Sequence, residues 1–149
     1  MNRYRISTRS NNGARRSHRA SYNQSMASIG LVLFAHGARD ARWAEPFERI
    51  KAKVHARAPG VPVELAYLEL MSPDLAIAVA ALIASGCSEV RVVPVFLGQG
   101  GHVRSDLPRL VQAISARHPG VSIRVVAPVG EHDAVLNCIA ELCVAEIAT

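Results

Sequence analysis

Cysteine is scarce in this chain and poorly spaced for its usual tasks. Cys87, Cys138 and Cys143 form no C-x-x-C pair and are odd in number, which argues against an iron–sulfur cluster or a disulfide scaffold and fits a reduced interior. All three are expected to be small core residues. No apolar stretch reaches 18 residues and no apolar h-region opens the chain. Neither a membrane partner nor secretion is therefore expected, and the location reads as cytoplasmic. Nucleotide signatures are missing too. There is no G-x-x-x-x-G-K-[ST], and no G-x-G-x-x-G follows the first apolar run.

Acidic residues are absent from the first 25 positions, which carry Arg3, Arg5, Arg9, Arg15, Arg16 and Arg19. Taking these six from the 17 basic side chains leaves 11 against 12 acidic ones, so the formal charge of +5 belongs to the tail. The remainder is near neutral, which excludes a basic groove for nucleic acid. Residues 1–27, rich in Arg, Ser and Asn without a hydrophobic period, are expected to be a disordered tail. It reads as an Arg- and Ser-rich leader, as a flexible basic arm, or as a mis-assigned start. The last is preferred, because Met26-Ala27-Ser28 directly precedes the first strand. Residues 28–149 then form one domain.

What is present is an alternation. Half of the residues are apolar, enough for a real core. Strands are expected at about 29–35, 62–68, 89–97 and 121–127, and helices at about 40–57, 73–85, 103–117 and 132–147. Trp43, Phe47, Ile50 and Val54 mark one stripe of the first helix; Leu107, Leu110, Val111 and Ile114 mark another on the third. Ser72-Pro73-Asp74 reads as the start of the second helix, with Ser72 as cap, and Gly86 as its stop. That helix, Leu75 to Ala84, is apolar on every side and should be buried all round, one face by a second subunit; a homodimer is expected. Asp40 and Asp106 are taken as caps of the first and third helices.

Such a pattern predicts an α/β fold: a three-layer, four-stranded parallel sheet in the order 2-1-3-4 with helices on both faces. Pro94 then falls in a central strand, where a missing N–H suggests a bulge. A faint internal repeat supports the topology. "ARAPGVPVELA" (56–66) and "ARHPGVSIRVV" (116–126) share a helix end, a Pro-Gly turn and a strand start.

In that order strands 1 and 3 are neighbours whose helices leave toward opposite faces, opening a crevice at the carboxyl edge. "FAHGARD" delivers His36 there and "FLGQGGH" delivers His102; strand 2 ends in Tyr67-Leu68-Glu69. Either histidine alone reads as a hydrogen-bonded structural residue. Two at equivalent strand ends, with Glu69 beside them, suit a divalent ion such as Co²⁺, Fe²⁺, Ni²⁺ or Zn²⁺. Arg39 and Arg104 each lie within three residues of a histidine and would suit a carboxylate-bearing ligand; Arg42 flanks them. Gly100 and Gly101 give backbone clearance for a large flat molecule. His55 and His118 sit near helix ends, His132 belongs to the cap of the fourth helix, and His18 is in the tail; none is assigned a role.

At these residues the chain resembles the short, single-domain class II chelatases of sirohaem and cobalamin synthesis, the sirohydrochlorin cobalto- and ferrochelatases. "LFAHGARD", "AYLELMSPDL" and "VVPVFLGQGGHVRSDLP" carry the likeness, which runs over about residues 29–147. It implies a chelatase half-unit fold, with His36 and His102 metal-binding and catalytic and Glu69 the acidic member of the site. It also implies a tetrapyrrole substrate, Co²⁺ or Fe²⁺ as the inserted ion and no nucleotide. Ala38 stands where the family usually has Ser, and Gln99 where an apolar or small residue is common. Two other readings use the same residues: a non-catalytic metal or tetrapyrrole carrier, and a histidine phosphoryl-transfer enzyme. Ala35 disfavours the second, since the arginine such a site needs before its histidine is missing.

Overall fold

Strand β1 (Ile29–Ala35) takes parallel partners on both edges. On one side it pairs with β2 (Val63–Tyr67), Leu31 against Val63 through Ala35 against Tyr67. On the other it pairs with β3 (Glu89–Pro94), Ile29 against Glu89 through Phe34 against Pro94. β4 (Ser122–Val125) adds to β3, completing the order β2-β1-β3-β4 expected from the alternation. The helices are α1 (Glu45–Arg57), α2 (Leu75–Ala84), α3 (Gly101–Arg117) and α4 (Asp133–Ala145). This computed structural model describes residues 28–98 and 100–147; the tail 1–27, Gln99 and the His102 side chain lie outside the described residues.

Alternation along β1 sorts the core into two layers. Val32 and Phe34 face α2 and α3, packing with Val79, Leu82, Val90, Val92, Leu107 and Ile114. Leu33 and Ala35 face α1, with Val63, Leu65 and Tyr67 beneath Phe47, Ile50 and Val54. Phe34 and Val92 are wholly buried; each large side chain removed from water in this way contributes about 1.5–3 kcal/mol. Cys87 belongs to this core, but Cys138 and Cys143 are exposed on α4, against the expectation.

Several boundaries moved, each for a local reason. The first helix is split: a 3-10 turn at Ala41–Ala44 precedes α1. Pro46 has no N–H to give the Arg42 carbonyl, which instead accepts from Glu45, three residues on. Asp40 caps this turn as expected, but Trp43 leaves the buried stripe and is 49% exposed. Asp74 rather than Ser72 caps α2, its carboxylate accepting from the Ile77 N–H at 2.8 Å. The Tyr67 N–H donates to the Pro73 carbonyl at 2.9 Å, holding that segment extended against β2 until Leu75. Asp106 lies inside α3, whose cap position is Gly100.

Pro94 needs no bulge. The Val92 carbonyl accepts from Val126, just past the end of β4, so Val92, and Pro94 two residues later, turn their backbone polar groups toward β4. β4 ends at Val125, level with Val92, so no ladder partner remains for a Pro94 N–H. The β1 side continues past it, Val95 N–H to Phe34 carbonyl at 2.7 Å. Strands 2, 3 and 4 are consequently shorter than their apolar runs.

The internal repeat is visible in the backbone. Ala58 and His118 end α1 and α3 with nearly the same angles, φ −137, ψ 68 and φ −130, ψ 63. Each carbonyl then accepts from the residue three on, Val61 and Val121, at 3.0 Å. Burial of α2 is one-sided. Leu75, Ala78, Val79 and Leu82 are buried, whereas Ile77 is 55% exposed. Because Asp74 is the cap of α2, Asp74→Ala should lower stability by about 1 kcal/mol. Urea unfolding followed by circular dichroism checks this, and Asp74→Asn should retain most of the lost stability.

Candidate metal site at the carboxyl edge

The strand order from which a crevice was expected is present. α1 covers one face and α3 the other, as the two core layers show, and both follow strands that are direct neighbours. His36 follows the last residue of β1 and is half-buried. Its ring lies 4.2 Å from that of Phe96, tilted by 35°, and Phe96 in turn meets Phe34 edge-on at 5.8 Å. The imidazole is thus held by stacking on a buried ring. Among the described residues no side-chain hydrogen bond reaches it.

Glu69 is brought to His36 by the backbone. The Leu68 N–H donates to the Ala35 carbonyl at 2.8 Å and the Glu69 N–H to the His36 carbonyl at 3.0 Å, so the β1–β2 ladder runs on past both strand ends. Between them Gly37 adopts φ +87, and a Cβ there would strike the Glu69 carbonyl oxygen. Only glycine permits this approach. The Glu69 side chain itself is exposed.

His102 occupies the first turn of α3, which begins two residues earlier than its hydrophobic period suggested. Its imidazole lies outside the described residues. Among the described residues, no three His, Cys, Asp or Glu side chains form a group that could hold a metal. Gly100 and Gly101 border open space, so backbone N–H groups at the start of α3 are accessible. Arg39 and Arg104 are both exposed. Arg42 is engaged, its guanidinium 2.8 Å from the Asp40 carboxylate, which the contact holds below the usual carboxylate range.

Two residues of the site escaped the sequence reading. Phe96 was taken as strand, yet it forms the platform under His36; the available signal was an aromatic beyond Pro94 at the end of the strand adjoining β1. Gly130 was unremarked. Its N–H donates to the Phe96 carbonyl at 2.9 Å and its Cα abuts the Leu97 carbonyl, tying the segment after β4 to the loop that leads to His102. A separate hollow of about 240 Å³ lies beneath α2 and α3, lined by Phe34, Leu68, Leu75 and Ile114 with Asp74 and Arg117 at its rim. It is an apolar gap between helices, and neither His36 nor Glu69 lines it.

A family model described as CbiX matches residues 30–145. The chain is 30% identical over 111 residues to the chloroplastic sirohydrochlorin ferrochelatase of Arabidopsis thaliana, covering 74% of this chain and 49% of that protein. It is 36% identical over 88 residues to the sirohydrochlorin cobaltochelatase of Methanocaldococcus jannaschii, covering 59% of this chain and 62% of the other. Thus it spans about half to two thirds of the length of these curated relatives. A crystal structure of a cobalamin (vitamin B12) biosynthesis CbiX protein from Marinobacter aquaeolei VT8 superposes with a TM-score of 0.72 at 32% identity, covering 80% of this chain and 98% of that one.

The Gly37 contact yields a direct test. Gly37→Ala must both adopt a positive φ and displace the Glu69 backbone, at a cost of about 1–3 kcal/mol for the strained dihedral alone. Thermal unfolding should show a clear loss of Tm, whereas Gly101→Ala, with open space around it, should change Tm little.

Proposed function

The chain belongs to the CbiX family, and from that premise we propose that it is an ATP-independent metal chelatase. It inserts Co²⁺ or Fe²⁺ into sirohydrochlorin or a related tetrapyrrole and acts as a cytoplasmic homodimer. The observation that carries the reading is the backbone lock that seats Glu69 against His36 at the carboxyl edge, with His102 opening α3 from the neighbouring strand. The names of the relatives supply the substrate class. No helix among the described residues is long and apolar enough to cross a membrane.

The chemistry follows from these groups. Neutral His36 and His102, with the Glu69 carboxylate, offer nitrogen and oxygen donors to a borderline divalent ion while leaving coordination positions open. Nickel and zinc would satisfy the same donors, so the ion used follows its supply. The macrocycle lies against the edge with its carboxylates toward Arg39, Arg104 and the N–H groups of Gly100 and Gly101 at the start of α3. Insertion forms metal–nitrogen bonds and releases two pyrrole N–H protons. An imidazole or Glu69 accepts these as general base and passes them to solvent, since the edge is open. Phe96 keeps the His36 ring plane fixed without occupying either nitrogen.

His102→Ala should reduce Co²⁺ or Fe²⁺ insertion into sirohydrochlorin, followed by absorbance, by about 10²-fold or more, with the circular dichroism spectrum unchanged. Full activity in that variant would refute the assignment. Binding of metal and macrocycle by the unmodified protein without insertion would identify a carrier instead.

A further inference from the structure

Leu70 is the one non-glycine residue among those described with a positive φ, at +63. The Met71 N–H donates to the Glu69 carbonyl, two residues back, at 2.8 Å. Glu69, Leu70 and Met71 therefore form a three-residue turn of the rare and strained hand. The left-handed region crowds a bulky side chain, whereas glycine or asparagine enters it at far less cost. Packing does not account for the leucine either. Leu68 joins the core layer of α2 and α3 and Met71 the layer beneath α1, while Leu70, between them, is left 63% exposed. Backbone and core would both be better served by another residue at position 70.

A counterpart stands across the edge. Leu70 comes three residues after the end of β2, and Leu97, 66% exposed, three residues after the end of β3. β1 runs between those strands and ends at Ala35, directly before His36. The strands that deliver the two leucines stand two spacings apart, about 10 Å, a span that suits a flat ring system of tetrapyrrole size. Each leucine also adjoins a group already placed at the site. Leu70 follows Glu69, and Leu97 follows Phe96, on which His36 stacks.

We propose that Leu70 and Leu97 are substrate-contacting residues, which meet the apolar ring of the macrocycle from either side of His36. The inference rests on the chelatase reading and deepens it. It assigns recognition of the uncharged ring to side chains separate from those that meet its carboxylates or the ion. A carboxylate-bearing tetrapyrrole has two chemistries to satisfy. Its periphery suits the exposed Arg39 and Arg104 and the N–H groups at the start of α3. Its conjugated centre needs apolar surface, which two exposed leucines beside the metal donors supply. Strained backbone concentrates at ligand sites, where the strain holds a side chain that the fold itself does not use. The turn at Glu69–Met71 does this, keeping Leu70 out of the packing that takes Leu68 and Met71.

Absorbance titration of the full chain with metal-free sirohydrochlorin tests this, because binding is then read apart from insertion. Leu70→Asn removes the apolar contact while suiting a positive φ. Its Tm should hold or rise, and its macrocycle affinity should fall by about tenfold, the loss of one buried leucine contact. Leu70→Met, which keeps an apolar side chain of similar volume, should retain the affinity. Leu97→Ala should weaken binding in the same direction as Leu70→Asn. Unchanged affinity in Leu70→Asn or Leu97→Ala, or an equal loss in Leu70→Met, overturns the proposal. So does a loss of chain association by light scattering in Leu70→Asn with affinity intact, which would assign the leucine to a subunit contact. Wild-type protein that binds no sirohydrochlorin overturns the chelatase reading and this inference together. Wild-type insertion alongside full affinity in Leu70→Asn removes the inference alone.

Discussion

β1 hydrogen-bonds along both edges, and the placement of every other element follows from that. Its parallel pairing with β2 and β3 forces both connections into crossovers, one helix per face, because parallel neighbours cannot be joined by a tight turn. The same pairing brings the ends of β1 and β3 side by side while sending α1 and α3 in opposite directions. The opening at the carboxyl edge therefore results from how the core is covered, and chemistry was added to it by two short loops. His36 sits where β1 stops, and His102 is carried on the first turn of the helix that follows β3.

Much of this was legible because it depends on periodicity. Near-continuous apolar runs give buried parallel strands, the Pro-Gly turns gave the repeat, and together they determine strand order. What was missed depends on single backbone groups. Pro46 withholds one N–H and converts the first helical turn to 3-10. Pro94 withholds another where β4 has already ended, so the feared conflict never arises. A hydrophobic pattern contains neither the length of a neighbouring strand nor the identity of the carbonyl waiting for a proton. Glu69 could be placed at the rim from sequence, but the lock through Gly37 could not, since it requires knowing that Glu69's carbonyl passes over that α-carbon.

The support beneath His36 illustrates a related limit. Phe34 on β1 and Phe96, two residues past the end of β3, form a continuous aromatic step from the wholly buried core to the half-buried imidazole. A stacked ring is restrained in orientation but keeps both nitrogens available. A hydrogen bond to one nitrogen would have fixed the ring at the expense of a ligand position. In the proposed role, where His36 would hold an ion and release it, stacking is the more useful restraint.

The last helix and the carboxyl edge meet at Gly130. That residue fits only because it lacks a side chain, packed against Leu97 just before the loop to His102. The contact ties the departure of α4 to the position of the site loop. One glycine therefore couples two properties, the path of the last helix and the shape of the carboxyl edge.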